Sequence, residues 1–343
     1  MGYGAERRIG RAAASVVGLF IAIVSIVATP SPAVAHAGAE QASTNWHVED
    51  VRVEGNPVGI VVTMTELDNH IRLQNTSPRD VIVFGYSREP YLRITSDGVF
   101  LNDASPAGYI NRSINAPRDL PARFDPQATP RWRKISSKSA HEWHDHRAHH
   151  GSRVASDGRT WSINIAIDDK PATITGTFHY RPAPTAWAAI VSIIAVAAMC
   201  GIGMLESRRQ LTARVLATGL AGLFAAQLAA EWASSNESFS SRLGVFAYGA
   251  MAIAAACIAA VAASRRSIAA VAPIVLFCAV AILVCGGLTN IDWLSHSQLP
   301  TVLPTAVAQA IVGAAIVGGL GLALLAIYTI VTQPIHVDDD QPK

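Results

Sequence analysis

The stretch His141-Glu142-Trp143-His144-Asp145-His146-Arg147-Ala148-His149-His150 holds five of the chain's 11 histidines. Neutral imidazole is the commonest metal-ligating side chain near pH 7, so a tract this dense reads as a metal site; a solvated polar loop is the competing reading. Backbone conformation decides which rings can meet. In a strand over 142–146, His144 and His146 share a face with Cα atoms roughly 7 Å apart, while Trp143 and Asp145 point the other way. In a helix, His146, His149 and His150 would share a face instead. An aromatic beside alternating polar residues favours the strand, with His149 and His150 past its end. Asp145 is expected to accept a hydrogen bond from an imidazole and so orient it, and Arg147 to pair with a carboxylate.

A further donor follows from export. Arg7, Arg8 and Arg11 precede the apolar run 12–28, which is broken by Thr29-Pro30-Ser31-Pro32 and followed by Ala33-Val34-Ala35. A basic start, an apolar stretch and a small-residue cleavage site make residues 1–35 a secretory signal peptide. Cleavage leaves His36 first, and a free α-amine with its own imidazole chelates one ion. With a further imidazole this is a histidine brace suited to copper. The candidate metal ligands are therefore His36, His144, His146 and His149. Copper leads on donor type and affinity order, and zinc on three histidines with an open water is the alternative.

Two kinds of segment must position these residues. Residues 36–185 carry 17 Lys+Arg and 17 Asp+Glu and repeat their apolar residues every second position, as in 46–54, 58–66, 70–76, 80–86, 91–95, 160–168 and 172–180. Such short strands bounded by turn residues predict an exported antiparallel β-sandwich, cupredoxin- or immunoglobulin-like. Residues 102–133, rich in Pro, Asn and Arg, form a long excursion of a length usually kept for a purpose. His47, His70 and His179 fall on strands and read as structural, and Glu89 as a turn carboxylate satisfied by a nearby arginine.

Residues 186–331 predict an all-α bundle of five transmembrane helices, at about 186–205, 213–232, 244–263, 267–288 and 306–331. Arg208, Arg209, Arg214, Arg265 and Arg266 mark cytoplasmic connections. The connections holding Asn236 and His296 carry no Lys or Arg. The positive-inside rule then places the N-terminal domain outside and the tail 332–343 in the cytoplasm, a multi-pass protein of the cell membrane. His296 reads as an exposed loop histidine. All four cysteines, Cys200, Cys257, Cys278 and Cys285, lie in the apolar half, where they read as packing residues, with soft Cu(I) ligation by Cys278 and Cys285 with Cys200 or Met204 as the minor reading. Gln227, Glu231 and Gln309 are the main polar residues at membrane depth. A net charge of +2 without a basic-aromatic stripe excludes nucleic acid as a partner. No Ser-His-Asp set, phosphate loop or paired acids supports hydrolytic chemistry.

The Glu142-Trp143-His144-Asp145-His146 stretch, with an exported N-terminal histidine and a β domain tied to membrane helices, resembles the copper-binding B subunit of particulate methane and ammonia monooxygenases. In plan the chain is also similar to CopC-type copper-resistance proteins fused to CopD-type membrane parts. The resemblance implies copper held by His36, His144 and His146. Arg147 and the His149-His150 pair have no counterpart in the first family, which carries two sandwich domains where one is expected here. Three functions follow as expectations: membrane-anchored copper handling by buffering, delivery or uptake; a copper redox or oxygenase component; and a non-catalytic module that assembles with a membrane protein partner.

Overall fold

The computed structural model describes residues 43–65, 67–112, 119–149, 156–234 and 239–332. His36, the signal segment 1–35, His150 and the tail 333–343 lie outside them. The chain divides into two units. One comprises residues 40–183 with His296–Pro300, and the other the remainder.

The first unit is antiparallel β structure. Its strands are β1 (Trp46–Glu54), β2 (Ile60–Thr65), β3 (His70–Asn75), β4 (Val81–Phe84), β5 (Pro90–Thr95), β6 (Gly98–Asn102), β7 (Trp132–Ser136), β8 (Ala140–His144), β9 (Thr160–Ile167) and β10 (Lys170–Tyr180). They form a seven-stranded sheet, ordered β1-β10-β9-β4-β5-β6-β7, and a three-stranded sheet, β2-β3-β8. Alternation is the reason: in β9, Trp161, Ile163 and Ile165 are buried while Thr160, Ser162 and Asn164 are exposed. Ile71, Leu73 and Trp143 of the small sheet and Val83, Leu92, Ile163 and Ile174 of the large one belong to one hydrophobic core. Each such fully buried side chain contributes roughly 1.5–3 kcal/mol.

The seven expected strands are present within two residues at each end. β6 and β7, which flank the excursion, are additional, and the excursion itself contains one helical turn, α1 (Ala107–Ile110). The strand expected over 142–146 ends at His144, and residues 145–149 after it form a turn, not a helix. Asp145 stops it. Its carbonyl accepts the amide of Ala148 at 3.0 Å, and its Oδ1 accepts the amide of Arg147 at 3.1 Å, closing a tight turn.

The segment His296–Pro300 belongs to this β unit. Thr44 and Gln298 form an isolated antiparallel bridge. Gln298 Nε2 donates to Asp68 Oδ2 at 2.7 Å, and His47 Nε2 lies 3.0 Å from Ser297 Oγ. His296 is half-buried, not exposed.

The second unit is helical: α2 (Trp187–Gly203), α3 (Arg209–Ser234), α4 (Phe239–Arg265), α5 (Ile268–Ala281), which runs on through a π-helical turn and a 3₁₀ segment to Ser295, and α6 (Thr305–Thr332). Among the described residues four helices are long and apolar enough to cross a membrane: 209–233, 246–265, 268–295 and 305–332. The fifth expected span, α2, is apolar but has 17 residues, about one turn short of a bilayer's hydrocarbon core. Small residues let the helices approach. A Cβ on Gly321 would stand 2.0 Å from Cys200 Sγ, and one on Gly313 2.9 Å from Ser192 Oγ, so α2 lies against α6. Cys278 and Cys285 are buried among apolar side chains. Arg214 Nε and Gln210 Nε2 both donate to the carbonyl of Ala263, so the basic ends of α3 and α4 lie together.

Candidate metal centre

Three of the four predicted ligands come together. The ring centroids of His144 and His146 are 4.7 Å apart, those of His144 and His149 4.8 Å, and those of His146 and His149 6.3 Å. His144 meets His146 through the turn at Asp145, not through strand alternation. The same turn brings His149 back over the strand end. His70, opposite His144 in the β3–β8 ladder, adds a fourth ring at 5.6 Å; its signal in the sequence was no more than its place on a predicted strand. His141 sits apart, stacked parallel on Trp143 at 6.3 Å.

Asn69 orients two of these rings. Its main-chain carbonyl accepts from His144 Nδ1 at 3.0 Å, and its side-chain oxygen accepts from His149 Nδ1. The carbonyl of Ile110 faces His146 Nε2 at 3.3 Å. A carbonyl only accepts, so the hydrogen-bonded nitrogen of each ring carries the proton. The lone pair of a neutral ring then rests on Nε2 of His144, Nδ1 of His146 and Nε2 of His149. Metal-bound histidines are held in this way, with the distal N–H on a carbonyl. Asn69 is itself held by the β2–β3 turn, where Leu67 and Asp68 take left-handed conformations with φ of 55° and 63°. Asp68 anchors that turn by accepting from the Val48 amide at 2.9 Å.

His144 is 5% exposed and His149 7%. Burial lowers the pKa of His144 from 6.5 to about 4, helped by the neighbouring His146 and opposed by the hydrogen bond to Asn69. It is therefore neutral at pH 7. Its Nε2 is buried without a hydrogen-bond partner among the described residues, an arrangement that costs free energy unless something binds there. Among the described residues, no three His, Cys, Asp or Glu side chains already stand with their donor atoms around one point as an ion requires. The rings meet edge to face, at interplanar angles of 65–90°, so coordination needs ring rotation, a donor from His36, or both.

Behind the histidines lies a polar network. Asp145, expected to orient an imidazole, instead accepts from Arg147 at 2.8 and 2.9 Å and from Trp143 Nε1 at 3.3 Å. Arg147 meets the expected carboxylate there and also stacks 4.8 Å from the Tyr86 ring. Tyr86 accepts the His146 amide at 3.0 Å and donates to Asn111 Oδ1, and burial with the Asp145 charge pushes its phenol well above 10. Glu89 is satisfied not by an arginine but by Ser105 Oγ at 2.9 Å and by the amides of Ser87 and Ala107 at 2.9 and 3.2 Å. Asn69 and Tyr86 are the positioning residues the sequence did not disclose.

No protein-family model, curated protein or solved structure matches this chain. The reading of the site therefore rests on its own geometry. A nitrogen-only set of imidazoles, of which His144 is neutral and holds a buried lone pair, fits copper or zinc and suits neither calcium nor magnesium, which take oxygen.

Proposed function

We propose that the β unit is a sandwich-type metal-binding module, exported and held to the membrane by the helical unit, and that it handles copper outside the cell by buffering, delivery or uptake. The observation that carries this reading is the convergence of His144, His146 and His149 with their tautomers fixed by carbonyl acceptors. His144 Nε2, His146 Nδ1 and His149 Nε2 are the donor atoms, and His36, once the signal segment is removed, supplies the brace. Bound copper would supply a redox-active Cu(II)/Cu(I) centre; the chain's own part is to keep His144 neutral, the three rings oriented, and His144 and His149 shielded from water. Zinc on the three histidines is the alternative occupant. The burial of His144 and His149 favours holding an ion over presenting it to a substrate, which places handling before the oxygenase reading.

The membrane arrangement proposed is five spans with α2 as the shortest. The packing together of the arginine-bearing ends of α3 and α4 supports the cytoplasmic placement of both, and the inclusion of His296–Pro300 in the β unit supports putting that connection and the β unit on the same, outer side.

The experiment is a Cu(II) titration of the full chain, expressed with its signal segment and purified in detergent. One equivalent should bind tightly, binding should fall sharply in His144→Ala, and it should persist in His141→Ala, whose ring stacks on Trp143 away from the cluster. His36→Ala tests the brace separately. Binding unchanged in His144→Ala, or no stoichiometric binding at all, rejects the metal module and leaves an assembly module.

A further inference from the structure

The excursion between β6 and β7 builds a second site, lined by none of the histidines. A cavity of about 350 Å³ lies between β6 and the excursion, lined by Leu101, Asn102, Arg112, Arg123, Phe124 and Arg131, with Asp103 and Gly108 completing it. We propose that this cleft binds a small oxyanion carrying two or more negative charges, of the phosphate or polycarboxylate class.

Three arginines face one cavity whose acid is already taken. Arg133 Nε lies 3.0 Å from both carboxylate oxygens of Asp103. Among the described residues no carboxylate pairs with Arg112, Arg123 or Arg131. Arg112 spends only Nε, on the carbonyl of Gly108 at 3.0 Å, and Arg123 rests on the Phe124 ring at 4.9 Å. Elsewhere in the same unit Arg52, Arg93, Arg147 and Arg181 each meet a carboxylate. Gathering like charges is unfavourable without a counterion, and the planar guanidinium fork matches the paired oxygens of phosphate and carboxylate.

The frame is rigid. Asn102 is 2% exposed. It accepts the amides of Ala104 and Arg131 at 3.0 and 2.9 Å and donates to the Pro90 carbonyl at 2.7 Å. This pins both ends of the excursion, so Arg131 is placed by a buried side chain. Phe124 stacks on Tyr109 at 5.0 Å and sets the floor under Arg123. A long excursion tied in this manner serves the purpose its length implies, by presenting cations on fixed backbone.

The test uses the metal-free full chain in nanodiscs of phosphatidylcholine, titrated calorimetrically with inorganic pyrophosphate. One saturable site is expected, weakening with added salt. Arg123→Gln and Arg131→Gln should each weaken it about tenfold or more, the loss expected for one charge-assisted contact. Arg52→Gln, which removes a cation paired elsewhere with Glu54, should leave it unchanged. Thermal melts confirm that each variant is folded. Repeating the titration in discs containing phosphatidic acid, whose phosphomonoester can carry two charges, separates sources: competition identifies a lipid headgroup as the anion, and unchanged affinity a soluble one, both held by the same guanidinium groups. Absence of saturable pyrophosphate binding, or equal loss in Arg52→Gln, overturns the proposal.

Discussion

His144 sits between two demands. As the proposed ligand it has to be neutral, and burial keeps it so, holding its pKa at about 4. The unfolded chain takes up that proton near pH 6.5, the folded metal-free chain only near 4. The stability contributed is therefore fully present above about pH 6.5 and is lost as the pH falls from there towards 4, a swing of about 3 kcal/mol at most. Thermal melts of the metal-free chain across that window should show the loss, and His144→Gln should flatten the profile. Asn69 gives a sharper residue-level prediction. Asn69→Ala removes the acceptor for His149 but keeps the main-chain carbonyl that holds His144, so metal affinity should fall by roughly 10–100-fold, as for other outer-shell partners, without being abolished. Asp145 is different in kind. Its side chain is fully buried against the partly exposed Arg147, so Asp145→Asn should destabilise the fold by about 1–3 kcal/mol, read by thermal melting, because it removes the charge from a buried hydrogen-bonded pair.

At the scale of elements, the close approach of Gly85 to Glu89 offers a test of the network beneath the site. A Cβ on Gly85 would stand 1.9 Å from Glu89 Oε1. The carboxylate cannot yield without giving up Ser105 and the amides of Ser87 and Ala107, so Gly85→Ala should lower stability by about 1–3 kcal/mol per hydrogen-bonding group left unsatisfied, measured as a lower melting temperature. Strands with clear alternation, such as β9 and β10, were legible in the sequence because one face of each is apolar. The end of β8 was not. Trp143, Asp145 and Arg147 alternate as a longer strand would, and only the Asp145 side chain capturing the Arg147 amide turns the chain. β6 and β7 were missed because both are short and neither alternates: Gly98, Val99 and Asn102 of β6 are buried with Phe100 and Leu101 partly so, and Arg133, Lys134 and Ile135 of β7 are exposed, so pairing across the sheet, not local alternation, defines them. The cluster of His144, His146 and His149 was legible as composition and not as geometry, since Asn69, which orients two of its rings, lies 75 positions upstream of His144.

At the scale of the whole molecule, the division into a β unit and an apolar helical unit follows from where the charged residues stop, and composition alone reveals it. The membership of His296–Pro300 in the β unit was not legible, because it depends on Gln298 meeting Asp68 across 230 positions. Asp68→Ala should loosen that segment, seen as faster amide exchange at Gln298 and Val48, while leaving the helical unit protected. The central claim remains that imidazoles of the β8 turn hold one metal ion. X-ray absorption of the full chain loaded with one equivalent of Cu(II) measures this most directly. Nitrogen-only first-shell scattering with the outer-shell signature of several imidazoles, reduced in His144→Ala, is the expected result; a spectrum free of imidazole scattering, or one identical in the variant, contradicts it.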